Sequence, residues 1–229
     1  VGLNLLGGLA MRRIFGVLMF LLLCVVAWSA PQDSVRYARE SKLLQNMFTK
    51  AKDGIVLCYS SVAKTTGFFV SADGWVVTAG HNVDPDFPKV HKIYVKLNRY
   101  SDEVYESTEI LPRAHGLDLM AFKIDFKPKF FFKQYKKAVW FEECWIFGFR
   151  GSSGKVPSNA GYATYRMYDT KYLQTTATAM FGNSGSPVLN YRGEVLGICI
   201  MRVYGSNDGV AILSHYIQEY LQEHKIIKK

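Results

Sequence analysis

Between Ile55 and Leu213 the chain is cut into short apolar, β-branched or aromatic runs, each broken by Gly, Asp or Pro. Runs of this length are strands rather than helices. Ile55 to Ser60, Gly67 to Ser71, Trp75 to Ala79, His91 to Leu97, Val104 to Leu111 and Leu119 to Ile124 form one set. Val139 to Phe149, Gly161 to Tyr168, Leu173 to Met180, Ser186 to Leu189, Glu194 to Val203 and Val210 to Leu213 form the other. The Lys-rich segment 125–137 separates them. Six short antiparallel strands suit a small closed barrel, because closure removes the exposed edges of an open sheet. The expected fold class is therefore all-β, with two six-stranded antiparallel barrels spanning about 54–126 and 138–213. With 49% apolar residues, the chain can supply a core of that size.

Flanking segments read differently. Residues 31–53 hold a predicted lead-in helix, capped by Asp33 or Ser34 and apolar along Leu43, Leu44, Met47 and Phe48. A second helix is expected over 214–224, capped by Ser214, with Ile217, Tyr220 and Leu221 on one face. Residues 1–30 carry Met11-Arg12-Arg13, the apolar run Ile14 to Val26, and Ala27-Trp28-Ser29-Ala30. That layout is a secretory signal peptide, and translation is expected to start at Met11. The apolar run is short of the about 20 residues a spanning helix needs. An uncleaved membrane anchor over residues 14–29 is the competing reading. Export to a periplasm or the medium follows from the first.

Gly182-Asn183-Ser184-Gly185-Ser186-Pro187 sits between two strand runs. Alone it reads as a Gly/Ser turn. Its glycines also permit a turn that lifts the Ser184 hydroxyl outward, with the Gly182, Asn183 and Ser184 backbone as an oxyanion hole. A serine attacks only when a base takes its proton and a carboxylate orients that base. Of the five histidines, His81 stands at the end of an apolar strand run. Asp118 opens another. His115 lies near Asp118 but in a loop, so His81 is the preferred base. The order His81, Asp118, Ser184 is one of the ways such a triad is strung along a chain.

At this point the chain resembles a known family. The segment Thr66-Gly67-Phe68-Phe69-Val70-Ser71-Ala72-Asp73-Gly74-Trp75-Val76-Val77-Thr78-Ala79-Gly80-His81 is similar to the histidine region of trypsin-like serine proteases, the HtrA/Deg branch above all. Leu117 to Ile124 resembles the aspartate strand, and Gly182 to Pro187 the nucleophile motif. Gly193 to Ile198 and Gly209 to Ile212 are also familiar there. The resemblance implies a chymotrypsin-like pair of barrels, with the triad in the cleft between them; the peptide-docking domain common in the HtrA branch is not expected after Lys229. It implies a serine endopeptidase acting on proteins or peptides through an acyl-enzyme. It also places Thr178 at the base of the substrate pocket and Cys199, Ile200, Met201 and Arg202 along its wall, with a small or medium apolar side chain before the scissile bond.

Three departures matter. Asn183 replaces the aspartate that pairs with a new amino terminus in zymogen-activated relatives. Ser186 stands where glycine is frequent. Ile200 takes the place of a hydroxyl that helps hold the triad aspartate. Two other functions are compatible with the pattern: a catalytically silent peptide-binding barrel protein, and an esterase. The esterase lacks the strand–elbow–helix context of its usual serine.

Neither cofactor nor metal is expected, since Cys58, Cys144 and Cys199 have no ligand-like neighbours. Their odd number rules out a full disulfide framework. Buried thiols are favoured, and one bridge stays open. The net charge of +9 with Lys-rich patches describes a solvated basic surface. No nucleic-acid motif accompanies it, and membrane contact is expected only through an uncleaved leader.

Overall fold

The computed structural model describes residues 41–228 apart from 62, 83–91, 98–101, 151–157 and 165–169, with backbone only at 158–160 and 162–164. The leader and the first part of the predicted lead-in helix lie outside the described residues. The chain forms two compact units, Val1–Gln45 and Asn46–Lys229. Residues 41–51 are helical (α1). Within the second unit, Met47 and Ala51 are buried, and the Phe48 ring packs tilted against that of Phe147, centroids 5.5 Å apart.

The first barrel comprises β1 (Ile55–Tyr59), β2 (Lys64–Phe69), β3 (Trp75–Ala79), β4 (Tyr94–Lys96), β5 (Tyr105–Ile110) and β6 (Leu119–Ile124). Its order is β1-β2-β3-β6-β5-β4, closed by β1 against β4. Val56, Phe69, Val76, Met120 and Phe122 fill it. Each such side chain contributes roughly 1.5–3 kcal/mol on burial. The second barrel comprises β7 (Glu143–Phe147), β8 (Ser158–Thr164), β9 (Tyr172–Thr178), β10 (Pro187–Leu189), β11 (Val195–Arg202) and β12 (Asp208–Leu213). Its order is β10-β11-β12-β9-β8-β7, closed by β10 against β7. The expected class, two six-stranded barrels of the chymotrypsin-like kind, is what the chain adopts.

Some expected boundaries shift. Val139 to Glu142 is not strand: the Glu142 N–H donates to the Val139 carbonyl at 3.1 Å, and Phe141 sits at φ 60°. That closes a turn, and β7 starts only at Glu143. β8 starts at Ser158, ahead of the expected Gly161, and positions 165–168 of the expected run lie outside the described residues.

Helix α2 (Ser214–Glu223) follows β12, but Ser214 does not cap it. Its hydroxyl donates instead to the Lys136 carbonyl at 2.6 Å, tying the helix to the linker. Tyr220 ties the same helix to the first barrel. Its hydroxyl donates to the Pro112 carbonyl at 2.7 Å and accepts from the Ala121 N–H at 3.2 Å. No helix among the described residues is long and apolar enough to cross a membrane.

Cys58, Cys144 and Cys199 are free and buried. Burial pushes the Cys58 thiol up, the Cys144 thiol up to about 11 and the Cys199 thiol up to about 12.

Candidate active site

Strands β3 and β6 are antiparallel neighbours, with Ala79 opposite Leu119. The residues just past that pair therefore emerge side by side. His81 lies on a single 3₁₀ turn, Gly80–Asn82, beyond β3, and Asp118 immediately precedes β6. The Gly80 N–H donates to the Asp118 carbonyl at 3.0 Å, fastening the two segments. The Asp118 carboxylate then holds His81 at two points. Oδ1 accepts the His81 backbone N–H at 2.8 Å, and Oδ2 meets the imidazole Nδ1 at 2.6 Å. Engaging Nδ1 this way fixes the ring and leaves Nε2 on its far edge, in the cleft. The carboxylate is 15% exposed and the imidazole 41%.

A third partner was not anticipated from sequence. Arg113 Nη2 donates to Asp118 Oδ1 at 2.8 Å, and its Nε donates to the Leu117 carbonyl at 3.3 Å. The side chain lies across Gly80, where a Cβ would come within 2.6 Å of Nε. Ile200 offers Asp118 no hydroxyl, and the Arg113 guanidinium supplies a hydrogen bond to the carboxylate instead. Burial raises the Asp118 carboxyl. The imidazole hydrogen bond, the charges of His81 and Arg113 and the His81 N–H outweigh it, and hold the group below its ordinary value. Neither its residue type nor its spacing from Asp118 marks this role in the sequence.

The serine loop is shaped by two glycines, Gly182 at φ 94° and Gly185 at φ 83°. A Cβ on Gly185 would lie 1.9 Å from the Thr66 carbonyl oxygen, so nothing larger fits. Thr66, on β2 of the first barrel and fully buried, clamps this loop of the second. Its N–H donates to the Ser184 carbonyl at 2.8 Å, and its hydroxyl donates to the Gly182 carbonyl at 2.7 Å. The same hydroxyl accepts the Phe149 N–H at 2.8 Å.

Asn183 was expected to lend its amide to an oxyanion hole. That amide donates instead to the Met180 carbonyl at 2.9 Å, while the Asn183 side-chain oxygen accepts the Met180 N–H at 2.9 Å. The peptide between Gly182 and Asn183 is thus held at both its oxygen and its nitrogen. The N–H groups of Gly182 and Ser184 have no acceptor among the described residues.

His81 and Ser184 line one cavity of about 310 Å³ with Ala179, Met180, Phe181, Cys199, Ile200, Met201 and Arg202. The Ser184 hydroxyl donates to the Ile200 carbonyl at 3.3 Å, and no hydrogen bond joins it to His81 among the described residues. Cys199 to Arg202 form one side of the cavity. Thr178 is not at its base. The β9 alternation buries Ala177 and Ala179 and turns Thr178 outward, opposite Asp208. Phe181, 80% exposed, was missed; the Arg202 guanidinium lies 5.2 Å from its ring centroid and donates to the Asn207 side-chain oxygen at 2.9 Å.

With the geometry in place, similarity to known proteins is informative. The sequence profile of the trypsin-like peptidase domain matches residues 65–198. Serine protease HTRA1B of Danio rerio is 28% identical over 175 residues, covering 71% of this chain and 35% of that protein. A probable periplasmic serine endoprotease, DegP-like, of Rhizobium meliloti (strain 1021) is 30% identical over 161 residues, covering 65% of this chain and 30% of the other. The chain thus spans about a third of the length of the curated relatives it matches. The crystal structure of the serine endoprotease from Yersinia pestis superposes with a TM-score of 0.65 at 17% identity, over 79% of this chain and 65% of that one. On the domain match, which takes in more than half of its residues, the chain belongs to the trypsin-like peptidase family.

Proposed function

We propose that this protein is a serine endopeptidase in which Ser184 is the nucleophile, His81 the general base and Asp118 the orienting carboxylate. The observation that carries the reading is the two-point hold of Asp118 on His81, with Ser184 in the same cavity. In the resting cleft the Ser184 hydroxyl bonds the Ile200 carbonyl. Rotation about χ1 moves such a hydroxyl between staggered wells, and substrate binding turns it from Ile200 to His81 Nε2. Nε2 takes the proton as Oγ attacks the peptide carbonyl, and the resulting imidazolium is stabilised by Asp118. The tetrahedral oxyanion is held by the N–H groups of Gly182 and Ser184. Collapse expels the amine, which takes the proton from His81. Water, deprotonated by the same imidazole, then releases the acid.

The substrate strand pairs with the edge of Ile200 to Arg202, since the Cys199 N–H and carbonyl are already bonded to Ser186 and Gly185. The pocket floor of Ala179 and Met180 suits a small or medium apolar side chain. Export rests on the leader-like residues 11–30, and amino-terminal sequencing of the exported protein tests it.

A fluorophosphonate probe tests the chemistry. It should label the wild type at Ser184 and leave Ser184→Ala unlabelled. Labelling of neither protein would favour a silent peptide-binding barrel. Casein turnover against short-chain ester turnover separates a peptidase from an esterase, and hydrolysis of esters alone would overturn the peptidase reading.

A further inference from the structure

The turn before β7 is built in an unusual way. It presents three consecutive apolar side chains to solvent: Val139 at 52% exposure, Trp140 at 59% and Phe141 at 74%. Phe141 stands at φ 60°, a left-handed conformation that strains a bulky residue and that glycine or asparagine would adopt more easily. Keeping a phenylalanine there, pointing outward, meets no packing need of the fold.

Beneath the tip lies a polar network that makes the turn rigid. The Glu142 carboxylate is 8% exposed and pairs with Lys136 Nζ at 2.8 Å. It also accepts from Asn190 Nδ2 at 3.0 Å and from the Val139 N–H at 3.3 Å. Asn190 belongs to the turn after β10, so the network pins a second turn beside the first. Asn190 Oδ1 accepts the N–H groups of Arg192 and Glu194 at 3.0 and 3.1 Å. That second turn exposes Tyr191, with the Arg192 guanidinium over its ring at 5.1 Å.

The geometry points to a lipid-docking tip: Val139, Trp140, Phe141 and Tyr191 enter the interfacial layer of an anionic membrane while Lys137 and Arg192 meet its headgroups. Aromatic side chains flanked by Lys and Arg are what partitions into that layer. Lys133 and Lys137 are exposed in the adjoining linker and Arg192 on the second turn, against Glu143 beside the tip and Glu194, which accepts from Asn190 Nδ2 at 2.7 Å; with Glu142 paired to Lys136, the local excess is basic. A protein partner fits less well. A stable interface buries about 800 Å² on each side, more than three residues and a tyrosine on two narrow turns present. Strand β10 has the Ser184 loop at one end and this second turn at the other. A docked molecule therefore holds its cleft toward water.

The test uses vesicles of phosphatidylglycerol and phosphatidylcholine, compared with phosphatidylcholine alone. The full chain should bind the mixed vesicles more tightly. The emission of Trp140, taken as the difference between wild type and Trp140→Phe, should shift to the blue and be quenched by brominated lipid. Phe141→Gly should weaken binding about tenfold, as the loss of one buried aromatic implies, while its unfolding midpoint stays the same or rises because the strain is relieved. Three results would overturn the proposal. One is Trp140 emission untouched by bilayer quencher, which would assign any binding to another segment. Another is a lower midpoint in Phe141→Gly, which would make that ring part of the fold. The third is a concentration-dependent blue shift without lipid, which would assign the tip to a second copy of the chain.

Discussion

Replacing Thr66 by valine removes one hydroxyl and little volume. That hydroxyl donates to the Gly182 carbonyl at 2.7 Å and accepts the Phe149 N–H at 2.8 Å, at a fully buried site. Losing the donated bond costs about 1 kcal/mol, and stranding a buried N–H costs about 1–3 kcal/mol more. The sum, about 2–4 kcal/mol, corresponds to a fall in Tm of roughly 4–16 °C for a chain of this size. Catalysis should suffer separately. The Gly182 carbonyl belongs to the peptide that fixes the loop on which both oxyanion donors sit. Releasing it should lower kcat by about 10²–10³, the effect of losing one such donor, with KM little changed. Thermal unfolding and peptide hydrolysis, both at a temperature where the variant is folded, measure the two effects. Thr66→Ser keeps the hydroxyl and should recover most of each. A folded Thr66→Val that keeps kcat within about threefold of wild type would refute the argument that the first barrel sets the nucleophile loop of the second.

Other outcomes follow from the same coordinates. Asp118→Asn should lower kcat by about 10⁴, because an amide cannot both accept from Nδ1 and stabilise the imidazolium; steady-state kinetics measures it. The Asp118 carboxyl sits below its ordinary value when folded. Its stabilisation is therefore complete above that ordinary value and lost as pH falls through the folded one. Arg113→Met removes one of the charges that lowers it, which brings the folded value closer to the ordinary one, so the acid destabilisation due to Asp118 in a urea midpoint series should be smaller than in wild type and should level off at higher pH. An unchanged size and end point would show that the guanidinium does not act on this carboxylate. Burial raises all three described thiols. Iodoacetamide at mildly alkaline pH should leave Cys58, Cys144 and Cys199 unmodified in the folded protein and modify them in urea; peptide mass mapping reads this.

Much of the architecture is legible because strand periodicity and burial coincide. The runs that become β3 and β6 are apolar but for Thr78 and Lys123, and both strands are almost wholly buried. Legibility ends where a local pattern and a tertiary contact compete. Val139-Trp140-Phe141 has strand composition, yet the Glu142 carboxylate, held by Lys136 and Asn190, folds it into a turn. Ser214 has the chemistry of a cap, but the Lys136 carbonyl lies closer to hand. The family resemblance places Thr178 at the pocket base, but strand alternation turns it outward. In the site itself, His81, Asp118 and Ser184 could be picked out because each stands next to a strand end or a glycine turn. Arg113 and Thr66 could not. Their roles arise from which loops two barrels bring together, and neither residue type nor spacing encodes that.

The central claim is that His81 and Ser184 act as one catalytic unit, and a double-mutant cycle tests it most directly. Turnover of His81→Ala, Ser184→Ala and the double variant should be compared on one peptide. Groups that work as a unit give a double variant no slower than the slower single one, each single loss being about 10⁶ in kcat. If the two losses instead multiply, or if His81→Ala keeps substantial turnover, the two side chains act independently and the proposed mechanism is wrong.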